Sequence, residues 1–321
     1  MEERDCIRCG KCTVVCPLYQ AYRTEAMSPR GMLALIDALD ERMVLPTSNE
    51  VRRVLENCLF CQRCRKGCPV RIKPMERIMD GIARYGGKRR LHRFISRRIS
   101  PLQKKGTLIF PGCVIERSET LFKAGLEAVK SLVNDFGVIR NTCCGAPFLE
   151  EGNLALAAFA LERISHIARN AKRLVTLCPS CAVTLKESAG RFGIKIPRVL
   201  FIGELLKPNY KKEKAKVFHF GGCVSEAMGW AEKIRTYLRD SGVDVVSSEK
   251  ALCCGKGTRR KTKRTNKRLS DALLENLFSE FKKSGCEILL TDCPQCLVEI
   301  RRLKTNASLL FDFLSAKSTS E

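Results

Sequence analysis

Residues 107–114 read TLIFPGCV, and residues 217–224 read VFHFGGCV. Each is a short apolar run of the kind that forms a buried strand, ended by a turn and closed by a cysteine, Cys113 or Cys223. The likeness continues downstream. Thr142-Cys-Cys-Gly145 matches Leu252-Cys-Cys-Gly255, and LVTLCPSC at 174–181 matches LLTDCPQC at 289–296. Self-similarity at a fixed period marks a duplicated unit. The offset is 110 residues from Cys113 to Cys223 and from Cys143 to Cys253, but 115 from Cys178 to Cys293. The second copy therefore holds five extra residues after its Cys-Cys-Gly, where the basic run 256–268 lies, and a loop decorating one copy is expected there.

Within each copy, short apolar runs alternate with helical patterns. In the first, 107–110 is strand-like, 119–136 and 154–171 are helix-like, and 174–177 is again a short apolar run. Strands alternating with helices predict α/β (Rossmann-like) units around a parallel sheet. The cysteines fall where predicted strands end, the edge of an open α/β sheet at which ligands collect.

The preceding part of the chain has a different texture. Ser28-Pro29-Arg30 makes a helix start, and Met32, Leu33, Leu35, Ile36 and Leu39 follow at helical spacing. A second helix near 51–57 delivers the chain to Cys58, and a third runs from Pro74 through Met75, Ile78, Met79 and Ile82 to Gly86-Gly87. No alternating strand pattern interrupts them, and two C-x2-C-x2-C-x3-C-P runs, 6–17 and 58–69, lie among them, so an all-helical two-cluster ferredoxin module is expected over 1–87. Residues 88–106 (KRRLHRFISRRISPLQKKG) read as a basic linker, with Leu91, Phe94, Ile95, Ile99 and Leu102 at helical intervals. The first α/β domain is then expected over 107–214 and the second over 215–321.

At 321 residues the chain suits two or three domains, and its 45% hydrophobic content is ordinary for a globular protein. Met1 is followed by Glu2, Glu3, Arg4 and Asp5 without an apolar signal segment. No window is long and apolar enough to cross a bilayer. A cytoplasmic location is expected, peripheral to the inner face of a membrane only through a partner. In a reducing compartment, clustered cysteines serve as metal ligands rather than bridges. The net charge of +24 is mostly local. Nine Lys/Arg and no acid lie between Arg84 and Lys105, and eight with no acid between Lys256 and Arg268.

Eighteen of the 19 cysteines fall into two families of motif. Cys6, Cys9, Cys12 and Cys16, followed by Pro17, form C-x2-C-x2-C-x3-C-P, and Cys58, Cys61, Cys64 and Cys68, followed by Pro69, repeat it. This is the bacterial ferredoxin run, whose fourth cysteine ligates the other cluster. It predicts one cubane 4Fe-4S cluster on Cys6, Cys9, Cys12 and Cys68 and a second on Cys58, Cys61, Cys64 and Cys16. Structural zinc also uses C-x2-C pairs, but not this doubled run. With no substrate motif nearby, two adjacent cubanes form an electron conduit.

The other ten form two five-cysteine sets: Cys113, Cys143, Cys144, Cys178 and Cys181, then Cys223, Cys253, Cys254, Cys293 and Cys296. Neighbours such as Cys143 and Cys144 cannot hold one iron without strain, but can hold different irons of a larger cluster. Gly145 and Gly255 are expected to leave room where backbone approaches metal. Five thiolates exceed the need of a cubane. Spacing alone also allows four ligands and one packing cysteine per copy.

Two tandem domains of this cysteine pattern resemble the CCG family of the heterodisulfide reductases and their relatives. A cubane module followed by two such domains is most similar to the catalytic subunit of the membrane-linked type, over nearly the whole chain. The resemblance implies that each five-cysteine set holds a noncubane 4Fe-4S cluster and that a disulfide is received between the two clusters and reductively cleaved. It implies a redox partner, either a cytochrome b-type membrane subunit or a flavin/iron–sulfur subunit. Relatives of similar layout instead pass electrons from a flavin-dependent glycerol-3-phosphate, glycolate or lactate dehydrogenase towards quinone. The chain departs from the family in its basic segment 256–268, where a glycine-rich loop is expected. That segment suits a small anionic disulfide or thiol substrate, or an acidic partner. No aromatics interleave it, so nucleic acid is not expected. The linker 88–106 could meet anionic lipid. His92, His166 and His219 lack ligand spacing, although His219 lies four residues before Cys223 and could hydrogen-bond behind a ligand. Cys286 reads as a buried small hydrophobe and Trp230 as a packing residue.

Overall fold

The computed structural model describes residues 6–46, 49–86, 105–206, 215–248, 250, 252–259 and 264–315. The chain forms two compact units. One contains Met1–Leu91 with Pro147–Leu154 and Glu249–Leu277, and the other contains His92–Ala146, Ala155–Ser248 and Phe278–Glu321. Most of the 88–106 linker, with its amphipathic pattern, lies outside the described residues.

The first unit carries helices Lys11–Val14, Pro17–Tyr22, Pro29–Asp40, Asn49–Glu56, Arg63–Lys66 and Pro74–Tyr85. Helix Pro29–Asp40 begins where the sequence places its start. Ser28 Oγ accepts a hydrogen bond from Gly31 N–H at 2.9 Å, and Pro29 occupies the first turn, where its missing N–H costs nothing. Met32, Leu33, Ile36 and Leu39 are buried on one face of this helix. Helix Pro74–Tyr85 packs against it closely: a Cβ at Gly81 would lie 2.5 Å from Ile36 Cδ1.

The second unit holds two four-stranded sheets. Strands β1 (Thr107–Phe110), β2 (Gly137–Val138), β3 (Arg173–Thr176) and β4 (Arg198–Phe201) are ordered β2-β1-β3-β4. Strands β5 (Lys216–Phe220), β6 (Asp244–Val246), β7 (Ile288–Thr291) and β8 (Ala307–Leu309) are ordered β6-β5-β7-β8. Every pairing is parallel, and both sheets have one topology. Phe110 is in register with Thr176, and Phe220 with Thr291, so β1 and β3, like β5 and β7, end level. The residues just beyond are Cys113, Cys178, Cys223 and Cys293.

The helix expected over 119–136 stops at Lys130. Leu132 and Val133 close their N–H groups on Val129 O, and the chain crosses to join β1 as β2. The helix expected over 154–171 ends at Ala168. The decorating loop is also corrected. Helix Leu154–Ala168 has 15 residues and its counterpart Arg264–Lys283 has 20, so the five-residue insertion lengthens a helix.

The two repeats share one continuous core, in which Leu108 and Leu174 of the first join Val217 and Leu290 of the second. Their ends are exchanged. The turn Ile202–Glu204, after β4, packs on helix Trp230–Asp240, with Phe201 and Trp230 rings 5.1 Å apart. The helix Leu310–Ser315, after β8, packs on helix Glu119–Lys130, with Phe311 beside Gly125.

Candidate metal centres

In the first unit the eight cysteines sort into two cavities, each taking three from one run and one from the other. Cys6, Cys9, Cys12 and Cys68 line one of about 340 Å³, together with Gly10, Arg30 and Leu33. Cys16, Cys58, Cys61 and Cys64 line one of about 400 Å³, with Pro17, Phe60 and Ile78. The crossing has a local cause. A residue before proline is held extended, and Cys16 adopts φ −87°, ψ 116° as the cap of helix Pro17–Tyr22. Its thiol therefore leaves the loop that carries Cys6, Cys9 and Cys12.

These thiols are costly to ionise without a cation. Burial, followed by the neighbouring Cys61 and Cys58, pushes Cys16 up to about 12. Burial likewise raises Cys12 and Cys61, and raises Cys64 strongly with added repulsion from Cys61 and Cys58. Thiolates here need positive metal beside them, and an all-sulfur donor set selects soft centres such as iron–sulfur clusters.

In the second unit the cysteines of the two repeats meet. Cys178 accepts hydrogen bonds from Cys181 of its own repeat and Cys293 of the other, which hold it well below the ordinary thiol value. The donors move the opposite way: Cys293 is pushed up to about 12, and Cys181, bonded to Cys144 and Cys178, is raised well above the ordinary thiol value. Cys143 is raised by its hydrogen bond to Cys144 and then by burial, with Cys113 adding repulsion. All five members of the first set thus belong to this unit. So do Cys223, Cys293 and Cys296 of the second set, whereas Cys253 and Cys254 belong to the first unit.

Glycines shape both repeats, and two of them were not singled out by the sequence. Gly112 and Gly222 take φ +88° and +83° at the turns into the cysteine helices. A Cβ at Gly112 would sit 3.2 Å from Cys181 Sγ, and one at Gly222 would sit 3.3 Å from Cys296 Sγ. Gly145 and Gly255 differ from expectation. Each N–H donates to the thiol two residues back, Cys143 or Cys253, at 3.4 Å. The space they leave is taken by helix backbone, Ala157 O at 3.2 Å and Ser270 O at 2.5 Å from an ideal Cβ.

Within the first unit, the Cys253–Cys254 segment is anchored beside the cavity lined by Cys16, Cys58, Cys61 and Cys64. Arg63, between Cys61 and Cys64, donates to Leu252 O, and Gly257 lies against Leu59. Helix Lys256–Arg259 follows directly. The side chains of 258–268, the bulk of the basic run, lie outside the described residues.

Of the histidines, His92 lies outside the described residues and His166 is exposed. His219 is buried, and its Nε2 pairs with Asp292 Oδ1 at 2.9 Å. Asp292 also accepts from Ser225 Oγ at 2.5 Å. Cys286 and Trp230 are buried, at 9% and 4% exposure. No helix among the described residues is long and apolar enough to cross a membrane.

Comparison with known proteins matches a 4Fe-4S dicluster domain over residues 2–72 and a cysteine-rich domain, CCG, over 107–186 and again over 217–301. The chain is 25% identical to one subunit of a fumarate reductase (CoM/CoB) of Methanothermobacter marburgensis, over 93% of this chain and 67% of that protein. It thus spans about two thirds of that relative's length. It is 40% identical to a probable glycolate oxidase iron–sulfur subunit of Bacillus subtilis, over 22% of this chain and 16% of that one. A hypothetical protein from Helicobacter pylori shares the fold, with TM-score 0.56 and 9% identity over 94% of this chain and 69% of that one.

Proposed function

The chain belongs to the CCG cysteine-rich family, and from that membership we propose that it is a redox subunit that reductively cleaves a disulfide. Cys6, Cys9, Cys12 and Cys68 would hold one cubane cluster, and Cys58, Cys61, Cys64 and Cys16 another. Cys113, Cys143, Cys144, Cys178 and Cys181 would hold one noncubane cluster, and Cys223, Cys253, Cys254, Cys293 and Cys296 the other. When bound, such clusters supply one-electron steps and iron that can take a thiolate sulfur. The overall reaction balances as one disulfide plus two electrons and two protons giving two thiols.

The observation that carries this reading is the hydrogen bond between Cys178 and Cys293. It brings one cysteine of each repeat to a shared point, as a substrate with two sulfurs requires. The Arg63 contact to Leu252 O supports a direction of supply, because it fastens the second repeat's Cys-Cys segment to the loop bearing Cys61 and Cys64. The 25% identity to one subunit of a fumarate reductase (CoM/CoB) supports a redox subunit. A redox partner subunit would deliver or accept the electrons.

The 40% identity over 70 residues to a glycolate oxidase iron–sulfur subunit favours a second reading, that of a pure electron carrier for a flavin dehydrogenase. One experiment separates the two. The chain is purified without oxygen, reduced with viologen and offered low-molecular-weight disulfides of different charge. Thiol release, with a paramagnetic signal on oxidation that depends on added thiol and about sixteen iron atoms per chain, supports disulfide cleavage. About eight irons, no thiol-dependent signal and electron uptake only from a flavoprotein would establish the carrier.

A further inference from the structure

The two repeats have the same strand order, but one group of buried side chains sets them apart. In the second repeat Ser225 Oγ donates to Asp292 Oδ2 at 2.5 Å, and His219 Nε2 meets Asp292 Oδ1 at 2.9 Å. The side chains of His219 and Asp292 are fully buried, and Ser225 is 0% exposed. The corresponding positions of the first repeat, by the 110- and 115-residue offsets, are Ile109, Ile115 and Leu177. These are also 0% exposed. One repeat fills this space with three aliphatic side chains, and the other with a carboxylate, an imidazole and a hydroxyl.

The polar group lies directly behind the second cysteine site. Asp292 immediately precedes Cys293, and a Cβ on Gly221 would sit 3.0 Å from Asp292 Oδ2. Gly222, the next residue, faces Cys293 Cβ and Cys296 Sγ at 3.2 and 3.3 Å from its ideal Cβ. Among the described residues His219 Nδ1 has no hydrogen-bond partner. Both carboxylate oxygens of Asp292 thus have a buried polar partner, Oδ2 the Ser225 hydroxyl and Oδ1 the His219 ring. Negative charge beside a cluster disfavours an added electron, and net charge is one of the levers that set cluster potentials.

We propose that the Asp292–His219–Ser225 group makes the two CCG sites electronically unequal, lowering the reduction potential at the second-repeat site so that an electron shared by the pair resides on the first-repeat site. This rests on the reading that both five-cysteine sets hold clusters. Asp292 acts here as a positioning and field-setting residue. The second-repeat site then acts as relay, and the first as the terminus at which reducing equivalents collect.

The test is a redox titration of the full cluster-loaded chain followed by electron paramagnetic resonance. Asp292→Asn keeps the shape and removes the charge. It should move one of the two noncubane midpoints to higher potential and leave the other and the cubane signals in place. Ser225→Ala keeps the charge and removes a donor, so the same midpoint should move to lower potential. The triple change His219→Ile, Ser225→Ile and Asp292→Leu copies the first repeat and should bring the two midpoints together. A role confined to packing predicts shifts of one sign with loss of iron in every variant, and that result overturns the proposal. So do two midpoints that stay where they were in Asp292→Asn with iron content unchanged. Iron and signals confined to the cubane module in the parent chain would sink the cluster assignment itself, a separate outcome read before any variant is made.

Discussion

The two repeats share strand order and the placing of their cysteines, yet they differ in what surrounds those cysteines. The first closes on itself chemically: all five of its cysteines lie in one compact unit, over an aliphatic floor of Ile109, Ile115 and Leu177. The second is divided. Cys223, Cys293 and Cys296 stand with the sheets, while Cys253 and Cys254 belong to the unit that holds the ferredoxin-type cavities. A duplicated fold keeps its scaffold because the scaffold sets where thiols converge. It diverges in what lies just behind them and in what each copy is fastened to.

That contrast can be broken most severely at the point where the copies meet. Cys178→Ala and Cys293→Ala should each reduce disulfide turnover on the order of 100-fold or more and remove about four iron atoms per chain. Iron assay and viologen-coupled turnover read both effects. Full turnover in Cys178→Ala alone would make the first repeat a passive partner.

The ferredoxin-type unit offers a contrast between loaded and empty protein. In the cluster-free chain, burial holds Cys16 protonated, its folded value of about 12 lying above the ordinary 9.0. A thiol raised on folding adds stability that is complete below pH 9.0 and is lost as pH climbs through about 12. Denaturant titrations of the empty chain should therefore weaken across that alkaline window, and Cys16→Ala should flatten the trend. The loaded chain, with its thiolates already neutralised by iron, should lack it.

Arg63 tests the fastening of the second copy. Arg63→Leu removes a charged hydrogen bond to Leu252 O and should cost about 1.5–3 kcal/mol, measured by denaturant unfolding. If the proposed clusters are bound, electron delivery to those of the CCG repeats should slow in stopped-flow with the ferredoxin-module signals unchanged. The glycine turns test equivalence: Gly112→Ala and Gly222→Ala force a side chain into positive φ against a cysteine and should each cost more than about 1 kcal/mol. The smallest effect falls on a feature of one copy only. Ser118 Oγ accepts from Leu121 N–H to cap helix Glu119–Lys130, whereas Gly229 stands at the matching helix start without a side-chain cap. Ser118→Ala should cost about 1 kcal/mol or less in a thermal melt.

Much of this was legible in the residue string, for physical reasons. A central parallel strand is buried on both faces, so β1 and β7 announce themselves as short apolar runs ending near a cysteine. The edge strands β2 and β6 did not: Gly137–Val138 is two residues long, and Asp244–Val246 begins with an acid. The repeat offset located the insertion but not its form, because a basic stretch reads as loop while its backbone extends a helix. The close approach of Cys178 to Cys293 has no linear signature, since parallel offsets say that two copies match, not that they face each other. His219 was singled out by its nearness to Cys223, but its partner stands 73 residues away. The Leu177-to-Asp292 difference inside an otherwise matching motif was the available clue.

The exchange of ends between the repeats has a consequence for how such a chain can be divided. Trp230 finds its lid in Phe201, and Gly125 admits Phe311, so each copy completes a wall that the other lacks. A single copy expressed alone would bare both an aromatic face and a vacant groove. The pair should accordingly fold in one concerted step, and a fragment ending near 206 should aggregate or dimerise, borrowing from a sister molecule the wall it has lost.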